Sequence, residues 1–477
     1  MENNRLTHFP SLRGWLFPLL FVALFLFYLL LGNWAFENGL LLPQTLVRSV
    51  QARAVSGSSA ISPNYLDFHQ PPLSLLLSFV FPENPVLVPS FSGALLVSLL
   101  LLYVWRNFQT RPLKFMASFL LVAFPGVLFS ILLSQDFVLF LFLFSVSFYF
   151  LLEFSLEERV FYLFMFGLLS GFLFLLRFET LYAFAYLVFV FFAFYPPRKA
   201  FHYVVSALFP AAFLFLSWLF VVWIFWEPPA HYIQAIWQDF FAASWVRQSS
   251  NHLSLFLGLL PFPVWYLFLF FSLGRFPEFF RSPLFLILFF PFPMVFLFLF
   301  SGHAFFPSTW PVLFVFHFVL LFPYLGPLFN EKRSTWLHAM VLLFLLGWNF
   351  FSFSFSAFPE ERAFCTFIRG ESFTSPVETY RSLAQKIRSD GVLLLDLQAS
   401  AAPLFFVSPL PEMFLPGMDE FESALSQPHF FVDQVLVHLP SDGVSQRLDL
   451  AWLRQEEGFS VVSQGKDWIL WQSSAQK

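Results

Sequence analysis

Apolar residues in this chain gather into runs about as long as a bilayer is thick, separated by short polar breaks. A membrane-crossing helix needs about 20 consecutive apolar residues. Eleven runs approach that length, at residues 15–33, 86–105, 113–133, 137–152, 160–176, 181–195, 203–225, 254–272, 282–300, 311–329 and 335–357. The shorter ones suit a bundle, in which helices tilt and tolerate mismatch. No small-x-small cleavage site follows the first run, which reads as an uncleaved first span. From Phe358 onward the pattern changes to short amphipathic segments. Ser375-Pro376-Val377-Glu378 reads as a capping box with proline at the first helical position. Val377, Tyr380, Ala384 and Ile387 then share one helical face, up to a stop at Asp390-Gly391. Residues 391–397 and 431–439 read as buried strands, 446–458 as a helix, and 459–472 as a hairpin turning at Gly465. The pattern therefore predicts a polytopic α-helical membrane domain, residues 1–357, followed by a small α/β domain, residues 358–477.

Positive charge orients the spans, because inside loops are enriched in Lys and Arg. With the N-terminus inside, the inside loops hold Arg5, Arg13, Arg106, Arg111, Lys114, Arg159, Arg198, Lys199, Arg275, Arg281, Lys332 and Arg333. The outside loops hold Arg48, Arg53, Arg177 and Arg247. Twelve against four, with an odd number of spans, predicts that the C-terminal domain lies outside. Composition agrees with the class: 58% of residues are hydrophobic, 11% are charged, and mean hydropathy is +0.72. The 79 phenylalanines fit a lipid-facing bias better than a platform for sugars. The single cysteine, Cys365, excludes a disulfide framework within the chain and a thiolate metal cluster. The tail carries 16 acids and 9 bases, net −7, against net +3 for the rest. That sign argues against a nucleic-acid partner. The absence of a glycine-rich phosphate loop argues against a nucleotide.

Candidate chemistry collects in the outside loops. The first, residues 33–85, is too long for a simple turn and holds Glu37, Asp67, His69 and Glu83. Within it, Leu40 to Val55 mixes apolar residues with Arg48 and Arg53, as an interfacial helix does. Leu73 to Phe81 is too short to span and reads as re-entrant or interfacial. Between them stands Tyr65-Leu66-Asp67-Phe68-His69-Gln70-Pro71-Pro72-Leu73. The double proline forbids a helix interior, so Asp67 and His69 are expected on extended chain beside the membrane boundary. Asp136 follows the third run with almost no loop to carry it into water. A carboxylate at that depth turns into a polar cavity, or it caps the fourth span. Gly167-Leu168-Leu169-Ser170-Gly171 suits close helix packing and leads to Arg177-Phe178-Glu179-Thr180. Tryptophans between Trp226 and His252 fit an interfacial belt, and Ser301 to Pro307, with His303, makes the last outside loop. His317, mid-span, reads as a neutral, helix-bonded histidine.

The His-x-Pro-Pro-Leu element at residues 69–73 resembles one in bacterial membrane glycosyltransferases related to the protein O-mannosyltransferases and the lipid A aminoarabinose transferase. The Gly-rich stretch before Arg177 and the segment around His303 are similar to that group as well, although His303 stands where arginine is usual. The resemblance covers about residues 15–310 and implies a GT-C fold in the bacterial inner membrane. It implies a polyprenyl-phosphate-linked sugar as donor and a lipid, glycan or protein as acceptor, with inversion at the sugar. The group shows an Asp-Glu pair after the first span, where this chain has Phe36-Glu37. That departure leaves Glu37 as the base, Asp67 in its place, or an inactive member; on the first of these Asp67 and Asp136 orient Glu37 or hold a divalent cation. Arg177, His303 and His69 meet the donor phosphate, which is a competent leaving group and needs no general acid. A lipid or sugar transporter would need midplane charged pairs and internal repeats, which the chain lacks beyond His317. A non-catalytic envelope-assembly subunit would rest on the tail alone.

Overall fold

The first helix stops where the sequence supplies a residue that tolerates a left-handed backbone. In the computed structural model α1 (Leu16–Glu37) ends at Asn38-Gly39, with Gly39 at φ 86°. Leu40 N–H donates to Ala35 C=O and Gly39 N–H to Phe36 C=O, at 3.0 and 2.9 Å. That pair of bonds is a Schellman motif, which satisfies carbonyls that a helix end leaves unbonded. The structure describes residues 15–40, 42–57, 72–108, 110–177, 180–225, 228–234, 310–325, 331–354, 356, 359–370, 376–415, 418, 420–439, 444, 448, 458–465 and 467–473.

Backbone contacts divide the chain into two compact units. The first comprises Met1–Asn33, His69–Leu73 and Val86–Ser372. Its helices after α1 are α4 (Leu87–Asn107), α5 (Arg111–Ala123), α6 (Pro125–Leu133), α7 (Gln135–Glu157), α8 (Val160–Leu176), α9 (Leu181–Phe194), α10 (Pro197–Phe225), α11 (Trp310–Leu325), α12 (Glu331–Ser354) and α13 (Pro359–Ile368). Nine of the eleven predicted apolar runs carry these helices; the other two, 254–272 and 282–300, lie outside the described residues. Among the described residues, α1, α4, α5 with α6, α7 and α10 are long and apolar enough to cross a membrane. On α10, Phe209, Phe213, Phe220 and Trp223 are exposed, as lipid contact but not water would allow. The predicted third span is broken at Phe124, which is extended, because Pro125 removes an amide donor. Asn349 of α12 meets the break: its Oδ1 accepts from Gly126 N–H at 2.8 Å in a buried site. A buried amide left without that bond would cost ~1–3 kcal/mol.

Small residues bring α8 against α10. A Cβ on Gly167 would lie 1.9 Å from Ala207 O and 2.9 Å from Pro210 Cγ; one on Gly171 would lie 3.0 Å from Ala211 Cα. The predicted packing role of this stretch is thus met by backbone-to-backbone approach. Gly167→Leu is expected to destabilise the bundle by about 3 kcal/mol through overpacking. Thermal unfolding in detergent checks it, and a wild-type melting curve would mean that the helices are not this close.

The second unit comprises Trp34–Phe68, Ser74–Pro85 and Phe373–Lys477. Its sheet is β1 (Val392–Leu394), β2 (Glu412–Phe414), β3 (Gln434–His438), β4 (Phe459–Gln464) and β5 (Trp468–Ser473), in the order β2-β1-β3-β5-β4. β1 pairs parallel with β2 and β3, and β5 pairs antiparallel with β3 and β4. Both faces of β1, β3 and β5 are buried, so apolar residues run there without alternation while their destinations alternate. Leu393, Leu436 and Leu470 point to one core; Leu394, Val435, Val437, Ile469 and Trp471 point to the other. The second core includes Phe421, Ala424 and Leu425 of α16 (Phe421–Ser426).

The first core is closed by helices from distant parts of the chain. α14 (Val377–Ala384) and α15 (Leu397–Phe405) come from the tail. α2 (Pro43–Gly57) comes from the loop after α1, and its Leu46, Val47, Val50, Ala54 and Val55 are buried with Leu393, Leu404 and Leu470. The stretch 40–55, expected at a membrane interface, therefore forms one wall of the α/β core. An amphipathic helix serves a sheet as readily as a membrane surface. The stretch 73–81, expected to be re-entrant or interfacial, is α3 (Pro72–Ser78) and a turn whose Phe79 packs against the same core.

Elsewhere in the tail the hairpin stands where the turn residues put it. The helix expected to reach Asp390 ends at Ala384, and it starts from Pro376 with no side-chain cap. Ser375 and the expected helix at 446–458 lie outside the described residues but for Val444, Leu448 and Gly458 nearby. α13, which follows the expected boundary at 357, is grouped with the helical unit; its Phe364 meets Phe129 and Phe353 at 5.2 and 5.6 Å.

Candidate functional site

Asp136 is held by a helix start that another residue caps. Ser134 is the N-cap of α7, its Oγ accepting from Phe137 N–H at 3.4 Å. The capping role considered for Asp136 thus belongs to Ser134, two residues earlier. Asp136 occupies the second position of the helix, where the helix dipole favours a carboxylate. It is partly buried, and its Oδ1 is buried with no hydrogen bond among the described residues. Buried acceptors are almost always satisfied, and a hydroxyl or a cation is the kind of partner this oxygen takes.

Arg177 stands at the other kind of helix end. It is the C-cap of α8, extended at φ −152° and ψ 110°, with its N–H on Leu173 C=O at 2.8 Å. Its carbonyl accepts from Thr180 Oγ1 at 2.8 Å, and its side chain is half-buried. A cation there complements the dipole. α7 and α8 are antiparallel neighbours joined by Glu158-Arg159, and Ser147 Oγ and Ser170 Oγ, 3.0 Å apart, set their register. Residue 177 then falls level with residue 140, about 6 Å along the axis from Asp136 at 1.5 Å per residue. The structure therefore brings Asp136 and Arg177 to the same end of one helix pair, about a turn apart.

Glu37 belongs to the second unit. It is not in a loop past the first span, as expected, but in the last turn of α1, where it is exposed. The helix dipole opposes a carboxylate at that end, by about 0.3–1 kcal/mol. A residue unfavourable to its own helix is the kind of local conflict that function retains. Its side chain has no bond among the described residues, and its place is set by Phe36, packed on Phe405 and Phe406 at 5.4 and 6.1 Å.

Asp67, His69 and His303 lie outside the described residues. No group of three His, Cys, Asp or Glu side chains able to hold a metal occurs among the described residues. Sequence reasoning passed over Glu361, which is fully buried in α13. Its setting, Pro-Glu-Glu-Arg at a helix start, looks like a solvated first turn. His317 is buried in α11 with its ring 4.8 Å from Phe148.

The fold of this chain is shared with solved structures of ArnT. The solved structures with this fold include ArnT from Cupriavidus metallidurans bound to undecaprenyl phosphate. It matches with a TM-score of 0.60 at 16% identity, over 98% of this chain and 100% of that one. The same protein in the apo state matches with a TM-score of 0.57 at 14% identity, over the same shares. No protein-family model matches the chain, and no curated protein sequence does.

Proposed function

We propose that this protein is a membrane glycosyltransferase that moves a sugar from a polyprenyl-phosphate donor to a lipid, glycan or protein acceptor at the outer face of the bacterial inner membrane. The observation that carries the reading is the full-length likeness to ArnT, a protein whose structure holds undecaprenyl phosphate. The Asp136–Arg177 arrangement supports it from the chain itself, with a carboxylate and a guanidinium at one end of an antiparallel helix pair.

In this reading Arg177 meets the donor phosphate, with His303 and His69 as further phosphate contacts. A guanidinium is suited to this because its planar fork matches phosphate oxygens and its charge opposes the one that builds up as the sugar leaves. Glu37 takes the proton from the acceptor hydroxyl as that oxygen attacks the anomeric carbon. The carbon–phosphate-oxygen bond breaks on the opposite side, which inverts the sugar and releases the polyprenyl phosphate. Asp136 and Asp67 orient the acceptor or hold a divalent cation. Eleven spans, an inside N-terminus and an outside tail complete the layout.

Binding of undecaprenyl phosphate to the purified protein, followed by native mass spectrometry, tests the reading. Saturable binding that Arg177→Ala weakens about tenfold or more is the expected result, a charged hydrogen bond to phosphate being lost. Binding no tighter than that of phosphatidic acid would refute it. Topology is open to a separate check on a Cys365→Ser background. An impermeant thiol reagent should label Gln464→Cys in intact spheroplasts and leave Lys199→Cys untouched. The opposite pattern would reverse the assignment of every loop.

A further inference from the structure

The turn that carries Glu37 and the helix that carries Arg53 both rest on Phe405, the last residue of α15, the turn reaching Phe406 as well and the helix Val407. Arg53 Nη1 donates to Phe405 C=O at 2.6 Å and Nη2 to Val407 C=O at 2.5 Å. Its Cζ lies 5.7 Å from the centre of the Phe405 ring. Phe36, next to Glu37, meets that same ring edge-on at 5.4 Å. Phe406, the other partner of Phe36, has the guanidinium of Arg381 over it at 5.5 Å.

Each part has a physical reason. The last carbonyls of a helix have no partner within it, and a cation there also complements the dipole. Only a guanidinium can serve two carbonyls with one planar group while lying near an aromatic face. Burial pulls the Arg53 pKa down and the carboxylate of Glu83 pushes it up. Arginine's reference value is so high that the group stays charged. Glu37 has no bond of its own among the described residues, so its position is inherited from Phe36 on one side and the Gly39 stop on the other.

We propose that Arg53 is a positioning residue for Glu37, acting through Phe405 and Phe36. The α/β domain then supplies the seat on which the proposed base is held. This rests on the reading of Glu37 as proton acceptor.

The test uses full-length protein in nanodiscs and two readouts. Hydrogen exchange is measured for wild type, Arg53→Lys, Arg53→Ala and Phe405→Leu. Residues 34–40 should exchange about tenfold faster in Arg53→Ala and less so in Arg53→Lys, with β3 and β5 unchanged, as a local opening requires. Turnover of a polyprenyl-phosphate sugar should show kcat reduced and donor KM unchanged in Arg53→Ala, with partial recovery in Arg53→Lys. Exchange at 34–40 equal to wild type in Arg53→Ala would overturn the proposal, as would faster exchange with kcat unaltered. If Arg53→Ala also loosens β3 and β5, Phe405→Leu decides, since it keeps both carbonyls and removes only the shared ring. Unchanged exchange at 34–40 in that variant overturns the proposal too. A wild-type protein that transfers nothing would sink the reading of Glu37 as base, while the exchange data would still report whether Arg53 holds its turn.

Discussion

Asp136→Asn should reduce sugar transfer about a hundredfold or more, the scale on which an electrostatic group at a reacting centre acts, in a protein that still folds. Asparagine has nearly the same shape, and at the second position of α7 it gives up only the favourable interaction with the helix dipole, about 0.3–1 kcal/mol. The cap itself is untouched, because Ser134 and not Asp136 makes the bond to Phe137 N–H. Ser134→Ala supplies the opposite case. It should cost ~1 kcal/mol of stability by loss of the cap and leave the rate per folded molecule near wild type. Release of undecaprenyl phosphate from a polyprenyl-phosphate sugar gives the rate, and thermal unfolding gives the fold. Asp136→Asn within threefold of wild type would remove Asp136 from the site. Glu37→Gln, by the same assay, should lose the factor of roughly 10²–10⁴ that a positioned proton acceptor contributes.

Val50→Asp is expected to unfold the α/β domain, although Val50 is more than 320 residues from the first strand. Val50 is fully buried among Leu393, Leu436 and Leu470, where a carboxylate would have no partner. Burying a polar or charged group in such a place costs several kcal/mol, comparable with the whole stability of a small domain. Limited proteolysis should then cut residues 373–477 readily, while Gln44→Asp, on the exposed side of the same helix, should leave them resistant. Equal resistance in Val50→Asp would mean that α2 is not part of that core.

Nine of the apolar runs were legible as helices because length alone identifies them. The helix break at Phe124-Pro125 was signalled by the proline, whereas its repair by Asn349 depends on tertiary packing that no local pattern records. In the tail, the glycine turn at Gly465 identified the β4–β5 hairpin. α2 was read as lying on a membrane because one amphipathic stripe carries no label for what covers it. Its partner begins over 300 residues further along the chain, and no local pattern points that far. Among candidate residues, the depth of Asp136 and Arg177 could be read from the span ends, and the structure puts them at one end of a helix pair. Asn38-Gly39 was a readable stop that would have moved Glu37 from loop to helix. The seat of Arg53 was not readable, since it consists of backbone carbonyls, which every residue has.

The divided α/β core also sets a timetable for synthesis. Arg53 is made 352 residues before the carbonyl of Phe405 that it binds. At about 5–20 residues per second, α2 waits roughly 18–70 seconds for its sheet. Throughout that interval Leu46, Val47 and Val50 have no native cover, and the helices made in between must be placed before the domain can close. The folding of this small domain is therefore a late, long-range event, governed by completion of the whole chain and open to a chaperone or to the lipid surface as a temporary partner for α2.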